Sequence, residues 1–133
     1  MIEPYLYFNG KCAEAIDFYE KVFAGGEKRI MLYKDMPQSP ENPVSDDMKE
    51  QVLHAELLIN GTRVNFSDVQ EKSISGNMIS FAARFGRSDD VVRAFNQLKE
   101  GGEVRMELGR QFFSPMYGWI EDKYGIGWQL ICE

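Results

Sequence analysis

Hydrophobic and polar positions follow one another in two periods along this chain, and the order of those periods repeats. Residues 4–8 (Pro-Tyr-Leu-Tyr-Phe) form a short aromatic run of strand type. Ile16, Tyr19 and Phe23 then recur at i, i+3 and i+7, which is one helix face. Asn9 is placed to cap that helix and Gly25-Gly26 to stop it. Residues 28–33 predict a second strand, 53–59 a third and 62–67 a fourth. Asn60-Gly61 joins the last two, a strong signal for a two-residue hairpin.

The second half runs in the same order. Residues 78–85 predict a strand, and Ser88 can cap a helix whose inner face holds Val91, Val92, Phe95 and Leu98. Gly101-Gly102 stops it. Strands at 104–111, 117–121 and 127–131 follow, the last two joined by a turn at Lys123-Tyr124-Gly125. The order is βαβββ twice, and an internal repeat weighs more than any single motif in deciding fold. The expectation is one domain over residues 1–133, built from modules 1–68 and 76–133. The first module carries an inserted loop at 35–50 with Pro37, Pro40, Pro43 and the acidic Ser45-Asp46-Asp47. Such a loop is a solvated connection or a lid.

Strand alternation sorts side chains between two faces. Gly61 and Gly125 mark matching turns. Four residues onward stand Asn65 and Gln129, flanked by Val64 and Phe66 in one half and Trp128 and Leu130 in the other. The apolar pairs should pack under a helix, leaving Asn65 and Gln129 on the opposite, concave side. In the third strand Leu53, Ala55, Leu57 and Ile59 make the apolar face, so His54 and Glu56 face the other way. With Arg63, Asn65 and Ser67 they put five polar side chains on one side of a hairpin. This is a solvated or subunit-facing surface, a ligand site with His54 or Glu56 as acid, base or hydrogen-bond partner, or a displaced metal site on His54 and Glu56, two ligands being too few for a closed site. Arg63 favours an anionic or carbonyl-bearing ligand, and histidine is the natural proton carrier near neutral pH. Tyr117 and Trp119 serve equally as core or as the wall of an apolar cavity. Cys12 begins the first helix, where a thiol is either activated by the helix N-terminus or simply buried as a small apolar residue.

Bulk properties narrow the partners. The 133 residues are 44% hydrophobic and 27% charged, with net charge −6. Duplex binding needs a basic stripe, which is missing, so nucleic acid and anionic membranes are excluded as expected partners. The start has neither the basic region nor the apolar core of a signal peptide, and no run is long enough to span a bilayer. Two cysteines, Cys12 and Cys132, make no disulfide framework and no zinc motif. A soluble cytoplasmic protein is the expectation.

The opening Pro-Tyr-Leu-Tyr-Phe-Asn-Gly, the Ala-Ile-Asp-Phe-Tyr helix, the Leu-His-Ala-Glu-Leu strand and the Ser-Pro-Met-Tyr-Gly-Trp segment resemble the PhnB-like branch of the vicinal-oxygen-chelate superfamily. This is the glyoxalase and bleomycin-resistance type of fold. The resemblance implies an α+β architecture of two βαβββ modules, whose curved mixed sheets enclose a concave cavity, often in a homodimer. In the superfamily's enzymes a divalent metal is held by side chains of the first and fourth strands. Those positions fall here on Pro4, Asn65, Asn77 (or Ser80 by the helix register) and Gln129, none a good ligand. Glu3 is the nearest acid, one residue out of step with the first-strand position. Members of this branch also carry the name of a demethylubiquinone methyltransferase. The strand-to-helix turns Phe8-Asn9-Gly10-Lys11 and Phe85-Gly86-Arg87-Ser88 hold one glycine each, whereas a nucleotide-type cofactor needs a glycine-rich turn. The expected function is therefore binding of a small organic molecule without cofactor or tightly bound metal, by His54, Glu56, Arg63, Asn65, Ser67, Tyr117, Trp119 and Gln129. The rival readings are a metal-dependent lyase, isomerase or dioxygenase, and a dimeric scaffold without ligand.

Overall fold

A computed structural model describes residues 1–37, 39–41 and 43–133. The chain divides into two compact units, Met1–Ser73 and Ile74–Glu133. Unit 1 contains β1 (Tyr5–Phe8), α1 (Cys12–Phe23), β2 (Gly26–Leu32), β3 (Val52–Ile59) and β4 (Thr62–Asp68). Its sheet has the order β1-β4-β3-β2, with β1 parallel to β4 and the other pairs antiparallel. Unit 2 repeats this with β5 (Ser80–Phe85), α2 (Ser88–Leu98), β6 (Glu103–Gln111), β7 (Ser114–Glu121) and β8 (Gly127–Cys132), in the order β5-β8-β7-β6. The architecture is α+β, with two four-stranded mixed sheets and one helix to each.

In unit 1 the predicted helix face is the buried one: Ile16, Tyr19 and Phe23 lie against the sheet, and Tyr19 stacks on Phe66 at 6.2 Å. Asn60 and Gly61 both take positive φ, 49° and 86°, the backbone that a type I′ hairpin demands. In unit 2 the helix face is Val91, Ala94, Phe95 and Leu98. Ala94 replaces the expected Val92, which is half-buried, because the buried stripe follows i, i+3, i+4 and i+7. Trp128 and Leu130 are buried on the helix side of the sheet, as Val64 and Phe66 are in unit 1. Gly118 lets α2 approach β7: a Cβ there would lie 2.6 Å from the Phe95 ring. Gly118→Ala is expected to cost about 1–3 kcal/mol in urea unfolding, the usual penalty for overpacking a tight contact.

Several expected ends are corrected. Asn9 does not cap α1; its amide donates to the carbonyls of Val69 and Gln70, at 2.7 and 3.1 Å. The helix start is served by Asp68, whose Oδ1 accepts from the Gly10 and Cys12 amides at 2.8 and 3.1 Å. Its Oδ2 accepts from the Val52 amide at 3.0 Å. Ser88 makes no capping bond either, and its hydroxyl faces the Cys132 sulfur at 3.5 Å. Ala24, with φ 49°, takes the left-handed stop expected of Gly25-Gly26, and Gly26 already belongs to β2. The strand expected from residue 78 begins at Ser80. The loop expected over 35–50 includes Gln38 and Asn42, which lie outside the described residues. Elsewhere the loop holds a short 3₁₀ turn at Tyr33–Asp35 and a buried Met48.

Candidate functional site

The strand register builds a face in unit 1 from both ends of the sheet. Tyr5 pairs with Asn65, Asn65 with Glu56, and Glu56 with Arg29. Tyr7 pairs with Ser67, and Met31 with His54. Partners directly opposite share a face, so His54, Glu56, Arg63, Asn65 and Ser67 stand together on the side away from α1, joined by Tyr5, Tyr7, Arg29 and Met31.

Two polar clusters organise this face. In the first, the Tyr5 hydroxyl and His54 Nδ1 are 2.9 Å apart, and Tyr7 stacks on Tyr5 at 4.8 Å with 14° between the planes. Burial first, and then the neighbouring Tyr7, push the Tyr5 hydroxyl above its ordinary value. It therefore stays a phenol through neutral pH and can donate to the facing Nδ1. In the second cluster Arg63 lies between two carboxylates. Its Nε is 3.3 Å from Glu56 and its Nη1 is 3.8 Å from Glu3. Asn65 Nδ2 donates to Glu3 Oε1 and to the Pro4 carbonyl, both at 3.2 Å. Ser67 belongs to the face, but its hydroxyl is spent on the Leu53 carbonyl at 2.8 Å. A recess of about 100 Å³ opens beside the second cluster, lined by Glu27, Arg29, Glu56 and Arg63 together with Leu57 and Leu58.

In unit 2 the matching row is Ala82, Gln129, Trp119 and Met106. Tyr117 donates its hydroxyl proton to Gln129 Oε1 at 2.6 Å, and Gln129 Nε2 donates to Ser80 Oγ at 3.2 Å. Burial raises the Tyr117 hydroxyl above its ordinary value, so it too remains a donor. Tyr117, Trp119 and Gln129 thus form a group on one face of the unit 2 sheet.

Asn65, Ser80 and Gln129, weak metal donors, stand at three of the inherited metal positions. Ser80, not the exposed Asn77, occupies the first strand of unit 2. Both amide atoms of Gln129 are engaged, and Pro4, one residue from Tyr5, has the opposite parity and stands off the Asn65 face. Glu3 corrects the expectation that it points the wrong way. The Tyr5–Asn65 register gives Glu3 the parity of Tyr5, and its carboxylate reaches Asn65. Glu3 nonetheless faces a guanidinium, which already supplies the positive charge between Glu3 and Glu56. Among the described residues no three histidine, cysteine or acidic side chains gather as a metal would need.

Cys12 is fully buried, and its thiol is pushed up, first by that burial and then by the Asp68 carboxylate. The helix N-terminus does not activate it; the thiol stays protonated and serves as a small core side chain. Sequence reading missed Tyr5, Tyr7 and Arg29. Alternation within the Tyr-Leu-Tyr-Phe run was a usable signal for the tyrosines. Arg29 was hidden because two residues of β2 oppose one of β3 between the Gly26–Leu58 and Arg29–Glu56 pairs, which reverses the parity of the strand.

Comparison with known proteins agrees with this fold. The family model described as 3-demethylubiquinone-9 3-methyltransferase matches residues 1–131. Protein PA1353 from Pseudomonas aeruginosa is 29% identical with a TM-score of 0.86, covering 100% of this chain and 97% of its own. A Bacillus cereus protein described as a putative 3-demethylubiquinone-9 3-methyltransferase, PhnB protein, is 27% identical with a TM-score of 0.75, over 99% and 98% of the two chains. The fosfomycin resistance protein FosX of Listeria monocytogenes shares the fold at 13% identity, with a TM-score of 0.67 over 100% and 92%. The chain thus belongs to the 3-demethylubiquinone-9 3-methyltransferase family, the PhnB-like branch of the vicinal-oxygen-chelate superfamily.

Proposed function

We propose that the chain binds a small organic molecule on the face of the first sheet opposite α1, without a tightly bound metal. The observation that carries this reading is the placement of Arg63 between Glu3 and Glu56. A fixed guanidinium fills the electrostatic role of a cation, and its donor fork suits planar oxygens of a ligand. His54, held by Tyr5, supplies a proton-carrying group on the same face. Gln129, Tyr117 and Trp119 line the equivalent face of unit 2, with Tyr117 and Gln129 already satisfying one another.

The methyl transfer in the family's name finds no support in the two strand-to-helix turns. The amides at the start of α1 that would meet an anionic cofactor are already given to Asp68. A metal-dependent lyase, isomerase or dioxygenase would need donors that the inherited positions lack. We place the protein in the cytoplasm as a homodimer with a two-fold axis; no described helix is long and apolar enough to cross a membrane. A monomer in sedimentation at micromolar concentration would count against the dimer.

The test has two arms. Protein purified without chelator should carry well under one equivalent of zinc, nickel, manganese or iron; stoichiometric metal would overturn the reading. Compounds that raise the melting temperature in a thermal-shift screen should bind His54→Ala about tenfold more weakly, the worth of one lost hydrogen bond in a partly dry site. The melting temperature of the free variant should be nearly unchanged, since His54 is only half-buried. Unaltered binding with a large stability loss would mark a structural histidine.

A further inference from the structure

The face of the first sheet carries one guanidinium that makes no ion pair with any described residue. Arg29 stands on the edge strand β2, in the register row Arg29, Glu56, Asn65, Tyr5. Glu56 is already paired with Arg63, and Glu3 faces Arg63 from the other side. Arg29 makes no ion pair with any described residue, yet it lines the recess of about 100 Å³ next to Arg63. Glu27, on the same recess, is held with φ 51°, a left-handed conformation that costs a residue with a side chain about 1 kcal/mol or more. The strain belongs to the bulge that reverses strand parity and brings Arg29 onto this face.

The other end of the row is aromatic. Tyr5 and Tyr7 stack on one another, the Tyr5 ring lies 5.7 Å from the His54 ring, and Tyr7 is 55% exposed. Three strand spacings, about 14 Å, separate the backbones of β1 and β2. The long Arg29 side chain and the two tyrosine rings narrow that span from both sides.

We propose that this face takes a planar aromatic monocarboxylate, with its carboxylate on Arg29 beside Arg63 and its ring over His54 toward Tyr5 and Tyr7. The inference rests on the proposed use of this face for binding and names the ligand class. A planar carboxylate fits the donor fork of Arg29, which no carboxylate of the described residues holds in an ion pair. Glu27 and Glu56 at the recess repel a dianion such as a phosphate monoester. The stacked tyrosines give a ring an apolar surface that an aliphatic acid of the same charge would use less well.

Three probes of one shape separate the possibilities: 2-naphthoate, the neutral 2-naphthylmethanol and the cationic 2-naphthylmethylammonium, titrated calorimetrically at low salt. Naphthoate should bind at least about tenfold more tightly than either of the others, the contribution of one charge-assisted pair. Arg29→Gln should abolish that preference while leaving the weaker affinity for the alcohol unchanged. Tyr7→Ala should weaken naphthoate and alcohol alike, and Arg93→Gln, on the exposed side of α2, should change neither. Equal affinity for acid and alcohol, or a naphthoate affinity indifferent to Arg29→Gln, overturns the carboxylate assignment and leaves the binding face standing. No binding of any probe to protein with an intact unfolding transition overturns the use of this face itself.

Discussion

Asp68→Ala is expected to be the most damaging single substitution in the first unit, lowering unfolding stability by about 4 kcal/mol in urea denaturation. Asp68 is 2% exposed and accepts three main-chain N–H bonds, from Gly10, Cys12 and Val52. These join the start of α1 to the start of β3, two segments far apart in the chain. Each such bond to a carboxylate is worth about 1.5–3 kcal/mol net, and alanine leaves all three donors without an acceptor. The contributions overlap, so the total falls short of their sum. The loss is a large share of the roughly 5–15 kcal/mol that holds an ordinary domain. Asp68→Asn keeps one oxygen but sets an NH₂ against an N–H, and should cost about half as much. A loss under about 1 kcal/mol for the alanine variant would show that water replaces the carboxylate and that α1 needs no such anchor.

The second unit has a counterpart at a different place, and Asp122→Ala is expected to cost about 3 kcal/mol. Asp122 Oδ1 accepts from the Tyr124 and Ile126 amides at 2.9 and 3.1 Å, which shapes the turn between β7 and β8. Its Oδ2 accepts from the Trp128 indole N–H at 2.9 Å, and Trp128 is 3% exposed. The turn amides are only part-buried and recover some bonding to water, whereas the indole N–H does not. Asp122→Asn should retain the turn bonds through Oδ1 and lose mainly the indole bond, with a cost of about 1–2 kcal/mol. Tryptophan fluorescence should report a changed Trp128 environment in both variants before unfolding begins. An unchanged native spectrum with an unchanged urea midpoint would rule out this role for Asp122.

Neither aspartate stood out in the sequence, and the reason separates what local patterning fixes from what it leaves open. The Ile16, Tyr19, Phe23 spacing, the Asn60-Gly61 pair and the alternation through residues 53–67 each act over a few bonds. They hold whatever the rest of the chain does. From them come the order of elements, the buried face of each helix, and the placing of His54, Glu56, Arg63, Asn65 and Ser67 on one side of one hairpin. The hairpin turn fixes that register by itself.

Tertiary structure decided the rest, because it depends on contacts with no short connection. Alternation put Tyr5 and Tyr7 on one face of β1, but no turn joins β1 to β4, and their parallel pairing decided that this face, with Glu3, is the one that holds Asn65. Asn9 looked like the cap of α1 because it is next to it in sequence. Asp68 won that role from 56 residues away, since β4 ends where the helix begins and a buried carboxylate can satisfy three donors at once. The bulge in β2 turned Arg29 toward the recess against the simple count. Alternation counts residues along one strand, whereas a bulge or a parallel pairing is set by the energy of fitting two strands together, and that sum is not written in either strand alone.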